Sequence, residues 1–324
     1  HYLLTGDIDE IVQFDSELPI MIDLDGEIYL RQEQNGVLLG IYEQNSTPWS
    51  LEGTPWDYGQ NDLLATRLED LESGLLNGFT RYPLVAEAGI RKIVNGPFTF
   101  APDGNPLVGP IRGVRNYWSC CGVMAGFCQG SGIALALSQW MIEGEPEGDI
   151  FAMDVNRFGS FATKKYTIKK VQEFYENRYT LLCPNEEWPA ARPNKVSAFH
   201  DCLEQANAVF GESYGQEVPL WFAPPGSEPK EDPSFQRSNS HESVAQECQV
   251  VREAVGIIDA TSFAKYEISG ADAEVFIDYM FASRLPQLGR IKLGPLLMPS
   301  GHLKGDLTVM RLAEDRFLVV GSGY

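Results

Sequence analysis

The stretch from Asn95 to Trp140 constrains the fold of this 324-residue chain more than any other part of it. It begins as a loop rich in Pro and Gly, continues as a short apolar strand near residues 117–123, and passes through a turn of small residues into a helix. Such a turn presents backbone N–H groups at the positive end of a helix dipole, which suits ligand binding. The same pattern also serves close packing of a helix on a sheet, so both interpretations stay open.

The flanking segments predict two different kinds of structure. Residues 1–42 have the pattern of an antiparallel meander, with hairpin turns at Asp25–Gly26 and Asn35–Gly36. Leucines at helical spacing predict an amphipathic helix over residues 62–79, and residues 90–94 are predicted to form a strand. Beyond Gly144, helical patterns alternate with short strands and turns, which predicts an α+β unit with antiparallel strands. That part includes a predicted helix over residues 200–210.

Composition excludes several classes of function. The chain has 45 acidic and 25 basic residues and a formal net charge of −20, which argues against nucleic acid or an anionic membrane as a partner. No apolar run approaches the roughly 20 residues that span a bilayer. No targeting segment is visible at the start of the sequence. The composition is compatible with an enzyme or binding protein that acts on small molecules.

The cysteines and histidines do not have the spacing of a metal site. The six cysteines form no CxxC pair and only four histidines occur, so we expect no bound metal. Cys120 and Cys121 are adjacent, and a disulfide between them would be strained. We expect reduced thiols buried on a strand, as suits a reducing compartment.

Several segments carry a resemblance to a known family. They are HYLLT, YLRQEQNGVLLGIYE, NGPFTFAPDGNPLVGP, GVRNYW, GEPEGDIFAMDVNRFG, PLWFAPPG, IIDATSFAKYEISGADA and GDLTV. In this order they resemble the flavoprotein dimethylglycine/sarcosine dehydrogenases over essentially the whole chain. Members of this family join an FAD-dependent, amine-oxidising domain like that of D-amino-acid oxidase to a folate-binding domain similar to the glycine-cleavage T protein. The resemblance implies a multidomain protein of mixed α/β and α+β class.

The resemblance also implies three domain segments. Residues 1–147 correspond to the C-terminal part of the FAD domain, residues 148–203 to a small central domain, and residues 204–324 to the first part of the T-protein-like, aminomethyltransferase-type domain. The family's GxGxxG fingerprint and flavin-linking His are not in this sequence. We therefore expect a fragment that does not retain FAD by itself and that stops before the later folate-binding elements.

The flavin-contacting segment of the family corresponds to the glycine-rich turn. It comprises Met124, Ala125, Gly126, Phe127, Cys128, Gln129 and Gly130. The resemblance implies that the following helix directs its N-terminus at the flavin C2=O, where negative charge develops on reduction. Many relatives carry a His where Gln129 stands. A glutamine side chain donates a hydrogen bond but does not titrate.

Three further residues take roles from the resemblance. Tyr2 corresponds to a tyrosine beside the flavin and the substrate, although a strand aromatic is also an ordinary core residue. Arg31 lies on the hairpin that covers the substrate and is a candidate for a substrate carboxylate or for a surface salt bridge. Asp306 of GDLTV corresponds to an acidic residue near the reactive folate nitrogens. Asn95–Pro97 and Pro102–Gly104 are expected to shape the wall beside the flavin ring.

Taken as a whole, the resemblance implies FAD-dependent oxidative demethylation of an N-methyl amine such as dimethylglycine or sarcosine. The one-carbon unit would pass to tetrahydrofolate, and the electrons to oxygen or an electron-transfer flavoprotein. The alternative is a non-catalytic relative resembling the regulatory subunit of pyruvate dehydrogenase phosphatase. A stand-alone aminomethyltransferase is disfavoured by the flavin-type first half. The expected location is the cytoplasm in a bacterium or the mitochondrial matrix in a eukaryote.

Overall fold

A computed structural model describes residues 1–59 and 62–322 of the chain. The chain divides into two compact units. The first comprises residues 1–194 and 233–236, and the second comprises residues 195–232 and 237–324. The last two residues of the predicted third domain lie outside the described part.

A five-stranded antiparallel sheet organises the first unit. Its strands run in the order β2-β3-β4-β1-β5. The elements of this part are β1 (Tyr2–Thr5), α1 (Asp9–Val12), β2 (Met21–Asp23), β3 (Ile28–Glu33), β4 (Gly36–Ile41), α2 (Glu72–Arg81), α3 (Pro83–Glu87) and β5 (Ile90–Val94). The predicted strand at residues 90–94 is confirmed. The predicted meander is confirmed for β2–β4, but β1 pairs with β4 and β5 instead of β2.

One face of this sheet forms the main core of the first unit. Leu3, Ile28 and Leu39 are fully buried there, and α2 packs across them with α3 beside it. The helix approaches the strands closely because Gly78 lies directly over the Leu39 side chain. Because side chains alternate between the two faces along each strand, every second residue of the sheet projects from the face opposite to α2.

The predicted strand, turn and helix are confirmed in the same unit. The elements are β6 (Leu107–Pro110), β7 (Trp118–Cys121), α4 (Gly126–Glu143) and α5 (Lys164–Glu176), with short 3₁₀ segments at Leu68–Leu71, Phe151–Met153 and Val155–Arg157. Strands β6 and β7 form an antiparallel hairpin. Trp140 of α4 packs edge-on against Trp118 of β7 with ring centroids 6.2 Å apart, which fixes the helix on the hairpin.

The second unit is an α+β structure with antiparallel strands, as predicted. Its elements are α6 (His200–Gln205), β8 (Ala208–Ser213), β9 (Gln216–Phe222), α7 (His241–Glu253), β10 (Ala264–Ser269), α8 (Ala273–Met280), β11 (Ile291–Leu297), β12 (Leu303–Ala313) and β13 (Arg316–Gly321). A four-stranded sheet runs β10-β13-β12-β11, and β8 pairs with β9. Ile277 of α8 packs with Phe317 and Val319 of β13 to form the core.

The predicted helix over residues 62–79 is wrong in its first third. Residues 62–67 have no regular secondary structure, and regular α-helix begins only at Glu72. The backbone N–H of Leu64 donates to the carbonyl of Asn95 at 2.8 Å, and the Tyr58 hydroxyl donates to the carbonyl of Asp62 at 2.7 Å. These long-range and loop partners replace the hydrogen bonds that a helix would make.

The second predicted hairpin forms, but its turn residues differ from the prediction. Glu33 pairs with Gly36, so the two-residue loop is Gln34–Asn35, and Gln34 has a φ of 58°. Gly36 instead belongs to β4, where an added Cβ would lie 2.7 Å from the Thr5 hydroxyl oxygen. The glycine is therefore required by strand packing rather than by the turn.

Two other expectations are also wrong. The helix predicted over residues 200–210 ends at Gln205, and a strand that the pattern did not reveal begins at Ala208. Cys120 and Cys121 are free thiols but exposed rather than buried. Both lie on β7, which is part of a sheet of only two strands, so its faces are incompletely covered within the described residues.

Candidate functional site

Tyrosines occupy the face of the five-stranded sheet that is opposite to α2. Gly40 of β4 is directly opposite Tyr29 of β3 on one side and Tyr2 of β1 on the other. Directly paired residues project to the same face, so the two tyrosines flank a glycine on the same face of the sheet. An added Cβ on Gly40 would fall inside the space of the Tyr29 ring. The glycine thus makes room for an aromatic ring to lie over the central strand.

Helix α5 and the segment after it add more aromatic rings to this face. The Tyr42 ring lies 5.1 Å from the ring of Tyr175 and 4.9 Å from that of Tyr179, measured between centroids. The Tyr29 ring is 6.4 Å from the Tyr179 ring in an edge-on arrangement. Residues more than 130 positions apart in the sequence therefore form one aromatic cluster.

A cleft of about 1350 Å³ opens beside this cluster within the first unit. Tyr2 lines it together with Tyr29, Tyr42 and Tyr175. Asn95, Gly96 and Pro97, which were expected to form a wall, line it as well. The volume is large enough for a cofactor-sized or substrate-sized molecule. The cleft is the strongest candidate for a binding site in the described part of the first unit.

A buried carboxylate lies among the tyrosines. Glu43 lines the cleft and is 9% exposed. Its Oε2 accepts a hydrogen bond from the Tyr175 hydroxyl, and its Oε1 contacts Nδ1 of His1. The carbonyl of His1 accepts from the Ile41 N–H at 3.2 Å, which fixes residue 1 beside β4. The negative charge is thus held in a defined position.

Burial changes the acid–base behaviour of these tyrosines. Desolvation raises the pKa of Tyr29, Tyr42 and Tyr179 above the usual 10. Desolvation also raises the pKa of Tyr175, and the adjacent Glu43 charge raises it further. The phenols therefore remain protonated hydrogen-bond donors well beyond neutral pH.

These raised pKa values predict a loss of stability in alkali. Unfolded tyrosines release their protons near pH 10, whereas the folded ones keep them to higher pH, so the unfolded state binds fewer protons there. We expect the free energy of unfolding to be unaffected by these groups below pH 10 and to fall as the pH rises above it. Urea unfolding at a series of alkaline pH values, with tyrosinate absorbance recorded in parallel, measures this. Tyrosinate absorbance that fits a single ordinary pKa for every tyrosine would contradict the prediction.

The glycine-rich turn has the features of an open helix N-terminus. Met124 precedes α4, which begins at Gly126 with no side-chain hydrogen bond capping it at Ala125. Added Cβ atoms on Gly126 and Gly130 would meet nothing within 4 Å. Phe127 and Cys128 are exposed, and Oε1 of Gln129 is buried without a hydrogen-bond partner in the described residues. Uncapped N–H groups beside open space are compatible with binding of the polar edge of a flavin.

Arg31 and Asp306 lie in different surroundings from Tyr2. Arg31 projects from the same sheet face as Tyr29 but is 42% exposed, does not line the cleft, and pairs with Glu33 at 2.7 Å. Asp306 belongs to the second unit, where it is exposed on β12 opposite Pro295 of β11. Residues 124–130 do not line the cleft either. Of the predicted site residues, the cleft contains Tyr2 and the wall segment Asn95–Pro97, but not Pro102–Gly104.

Sequence reasoning did not single out Tyr29, Tyr42, Glu43 or Tyr175. Once the strand register is known, Tyr29 and Tyr42 lie on the same face of the sheet as Tyr2. Assigning the β3–β4 hairpin from the sequence could have indicated this. No sequence signal connects Glu43 with Tyr175 on a helix 132 positions away. In the described ranges, no helix is long and apolar enough to cross a membrane, and no group of three or more His, Cys, Asp or Glu side chains is arranged to hold a metal ion.

Family models match two consecutive parts of the chain. Residues 143–197 match the FAD dependent oxidoreductase central domain, and residues 199–324 match the GCVT N-terminal domain. Together with the mixed α/β architecture, these matches define the class: a central domain of the FAD dependent oxidoreductase type is followed by a GCVT N-terminal domain.

Curated relatives match nearly the full length of this chain. Mitochondrial dimethylglycine dehydrogenase of Mus musculus is 36% identical over 99% of it, and human mitochondrial sarcosine dehydrogenase is 29% identical over 97%. The chain belongs to the dimethylglycine/sarcosine dehydrogenase family. The mouse mitochondrial regulatory subunit of pyruvate dehydrogenase phosphatase is also similar, at 30% identity over 98% of the chain. The chain spans 36–38% of the length of these relatives.

Similarity to solved structures is weaker. L-proline dehydrogenase from P. horikoshii matches 48% of this chain and 38% of its own at 20% identity, with a TM-score of 0.38. A similarity of this size carries no argument about fold or function.

Proposed function

We propose that the protein containing this chain catalyses FAD-dependent oxidative demethylation of an N-methyl amine of the dimethylglycine or sarcosine type. The observation that carries the proposal is the cleft that Tyr2 and Asn95–Pro97 line together with half-buried tyrosines. A cleft with several aromatic side chains in its lining suits a small methylated amine. The relatives named dimethylglycine and sarcosine dehydrogenase support the same substrate class.

We further propose that Met124–Gly130 contributes to holding the flavin. When bound, FAD supplies the acceptor for the hydride removed from the carbon next to nitrogen. The uncapped N–H groups at the start of α4 are suited to stabilise negative charge on the flavin's polar edge. Gln129 would donate a neutral hydrogen bond there through its side-chain amide. Tyr2 would orient the amine, with its ring against the methyl groups.

The second unit is proposed to receive the one-carbon product. The match to the GCVT N-terminal domain supports tetrahydrofolate as the acceptor. The exposed carboxylate of Asp306 is proposed to assist proton movement at the folate nitrogens. The domain limits 1–147, 148–203 and 204–324 remain a proposal. Oxygen and an electron-transfer flavoprotein both stay open as the electron acceptor, and the mitochondrial matrix is the proposed location if the source is a eukaryote.

A non-catalytic role is the second candidate. It is favoured by the similarity to the regulatory subunit of pyruvate dehydrogenase phosphatase, which also matches nearly the whole chain. The described cleft, with Tyr2 and a buried carboxylate, supplies the kind of lined space that an enzyme needs to hold a small substrate.

The two candidates differ in flavin chemistry. We expect the protein expressed from its complete gene to carry flavin absorbance, and we expect anaerobic dimethylglycine or sarcosine to bleach it. In the Tyr2→Phe variant we expect flavin reduction to be slower by about tenfold or more, because general acid–base and orienting groups contribute at least about this factor to the rate. The Tyr117→Phe variant, an exposed tyrosine outside the cleft lining, is the matched control. A flavin-free protein, or flavin that neither amine reduces, would support the regulatory role instead.

A further inference from the structure

Glu43 is a carboxylate that the proposed chemistry does not yet use. It is almost fully buried, and its described partners are the Tyr175 hydroxyl, the ring of His1 and, at 3.4 Å, the amino group of His1. Over residues 1–59 and 62–322, no lysine or arginine forms an ion pair with it. Burying a carboxylate is costly unless hydrogen bonds or cations compensate it, and the contact with the His1 amino group is long. The cleft it lines is the place from which a cationic ligand would come.

The rings around Glu43 favour one kind of cation. Tyr2, Tyr29, Tyr42 and Tyr175 line the same cleft. Aromatic faces attract cations, and cages of such rings recognise methylated ammonium groups. A methylated ammonium has few N–H donors left, so it gains little from hydrogen-bond acceptors and more from ring faces and a nearby negative charge. A neutral ligand would gain nothing from the charge of Glu43.

We propose that Glu43 and the tyrosine rings form the binding site for the protonated, N-methylated ammonium group of the substrate. The inference rests on the proposed function, since it names how the same cleft selects its amine. Glu43 provides the counter-charge, held in place by Tyr175 and His1. The phenol rings provide the surfaces for the methyl groups. Because the raised pKa values keep the phenols neutral, the rings add no competing charge of their own.

Comparing two ligands of the same size separates recognition of charge from recognition of shape. Betaine carries a trimethylammonium group and cannot be demethylated by loss of a hydride from a neutral amine. Its carbon isostere, 3,3-dimethylbutanoate, has the same shape and carboxylate but no positive charge. We expect the protein expressed from its complete gene to bind betaine at least about tenfold more tightly, as ring faces and one carboxylate together imply.

Variants then assign the preference to residues. In Glu43→Gln, we expect calorimetry to show betaine and dimethylglycine binding about tenfold more weakly, with 3,3-dimethylbutanoate unchanged. Tyr42→Leu should reduce the same preference by removing a ring face. The control is Glu10→Gln, an exposed acidic residue on α1 outside the cleft lining, which should change neither affinity. Thermal unfolding of each variant shows whether it is folded.

Three results would overturn the proposal. The first is equal affinity of the unaltered protein for betaine and its isostere, which needs no variant to fold. The second is an unchanged betaine affinity in Glu43→Gln. The third is an equal loss for both ligands, which would indicate a purely structural role. None of these three results would change the outcome of the flavin-bleaching experiment. Failure of this proposal can therefore be distinguished from failure of the proposed function.

Discussion

Arg157→Ala is expected to destabilise the first unit by about 3 kcal/mol, because it removes a buried guanidinium that pairs bidentately with a partly exposed carboxylate and donates to three carbonyls. The Arg157 side chain is 1% exposed, and its Nε and Nη2 each lie 2.7 Å from an oxygen of Asp103. The same guanidinium also donates to the carbonyls of Pro106, Asn105 and Asp154 at 2.8–3.0 Å. Removing it leaves a carboxylate and three carbonyl oxygens without their donor.

Chemical denaturation measures this effect, with two variants for comparison. Arg157→Lys keeps the charge but loses the planar fork, so it should recover only part of the stability. Arg316→Ala is the control for a surface pair, since Arg316 and its partner Glu267 are 52% and 57% exposed and lie 3.7 Å apart. It should cost less than about 1 kcal/mol. Equal losses for Arg157→Ala and Arg316→Ala would refute the view that the Arg157–Asp103 ion pair holds the Pro102–Gly104 loop against the Val155–Arg157 segment.

Gly40→Ala is expected to destabilise the protein by roughly 1–3 kcal/mol and to disturb the tyrosine cluster. The new methyl group would overlap the ring atoms of Tyr29. That ring is half-buried and packs against Tyr179, so it cannot move without disrupting a second aromatic contact. We expect a lower unfolding midpoint, an altered near-ultraviolet circular dichroism signal from the tyrosines, and weaker ligand binding in the cleft.

Gly305→Ala is the matched control for this substitution. Gly305 also lies within a β-strand, but an added Cβ there would meet nothing within 4 Å. Its replacement should be neutral or slightly stabilising, because alanine restricts the unfolded chain more than glycine does. If the two variants unfold alike, the Tyr29 ring does not require the glycine.

The local elements were largely predictable because their signals are local. Strand alternation located β1 and β3–β5, and the small-residue turn before an apolar helix located α4. The predicted helix over residues 62–79 was too long because leucine spacing contains no information about Asn95, whose carbonyl accepts a hydrogen bond from the Leu64 N–H. Gly36 was assigned to a turn, since a sequence does not show that Thr5 lies against it.

The sequence by itself determined the family and its successive domain types, because the order of motifs along a chain is one-dimensional information. It indicated Met124–Gly130 as the flavin-contacting segment only through the resemblance. The tertiary structure decided which side chains share a cleft. It placed Tyr2 beside Tyr29 through strand register, and it brought Glu43 to Tyr175 across 132 positions. Local propensity fixes elements, but burial and pairing between distant segments fix which polar groups end up together.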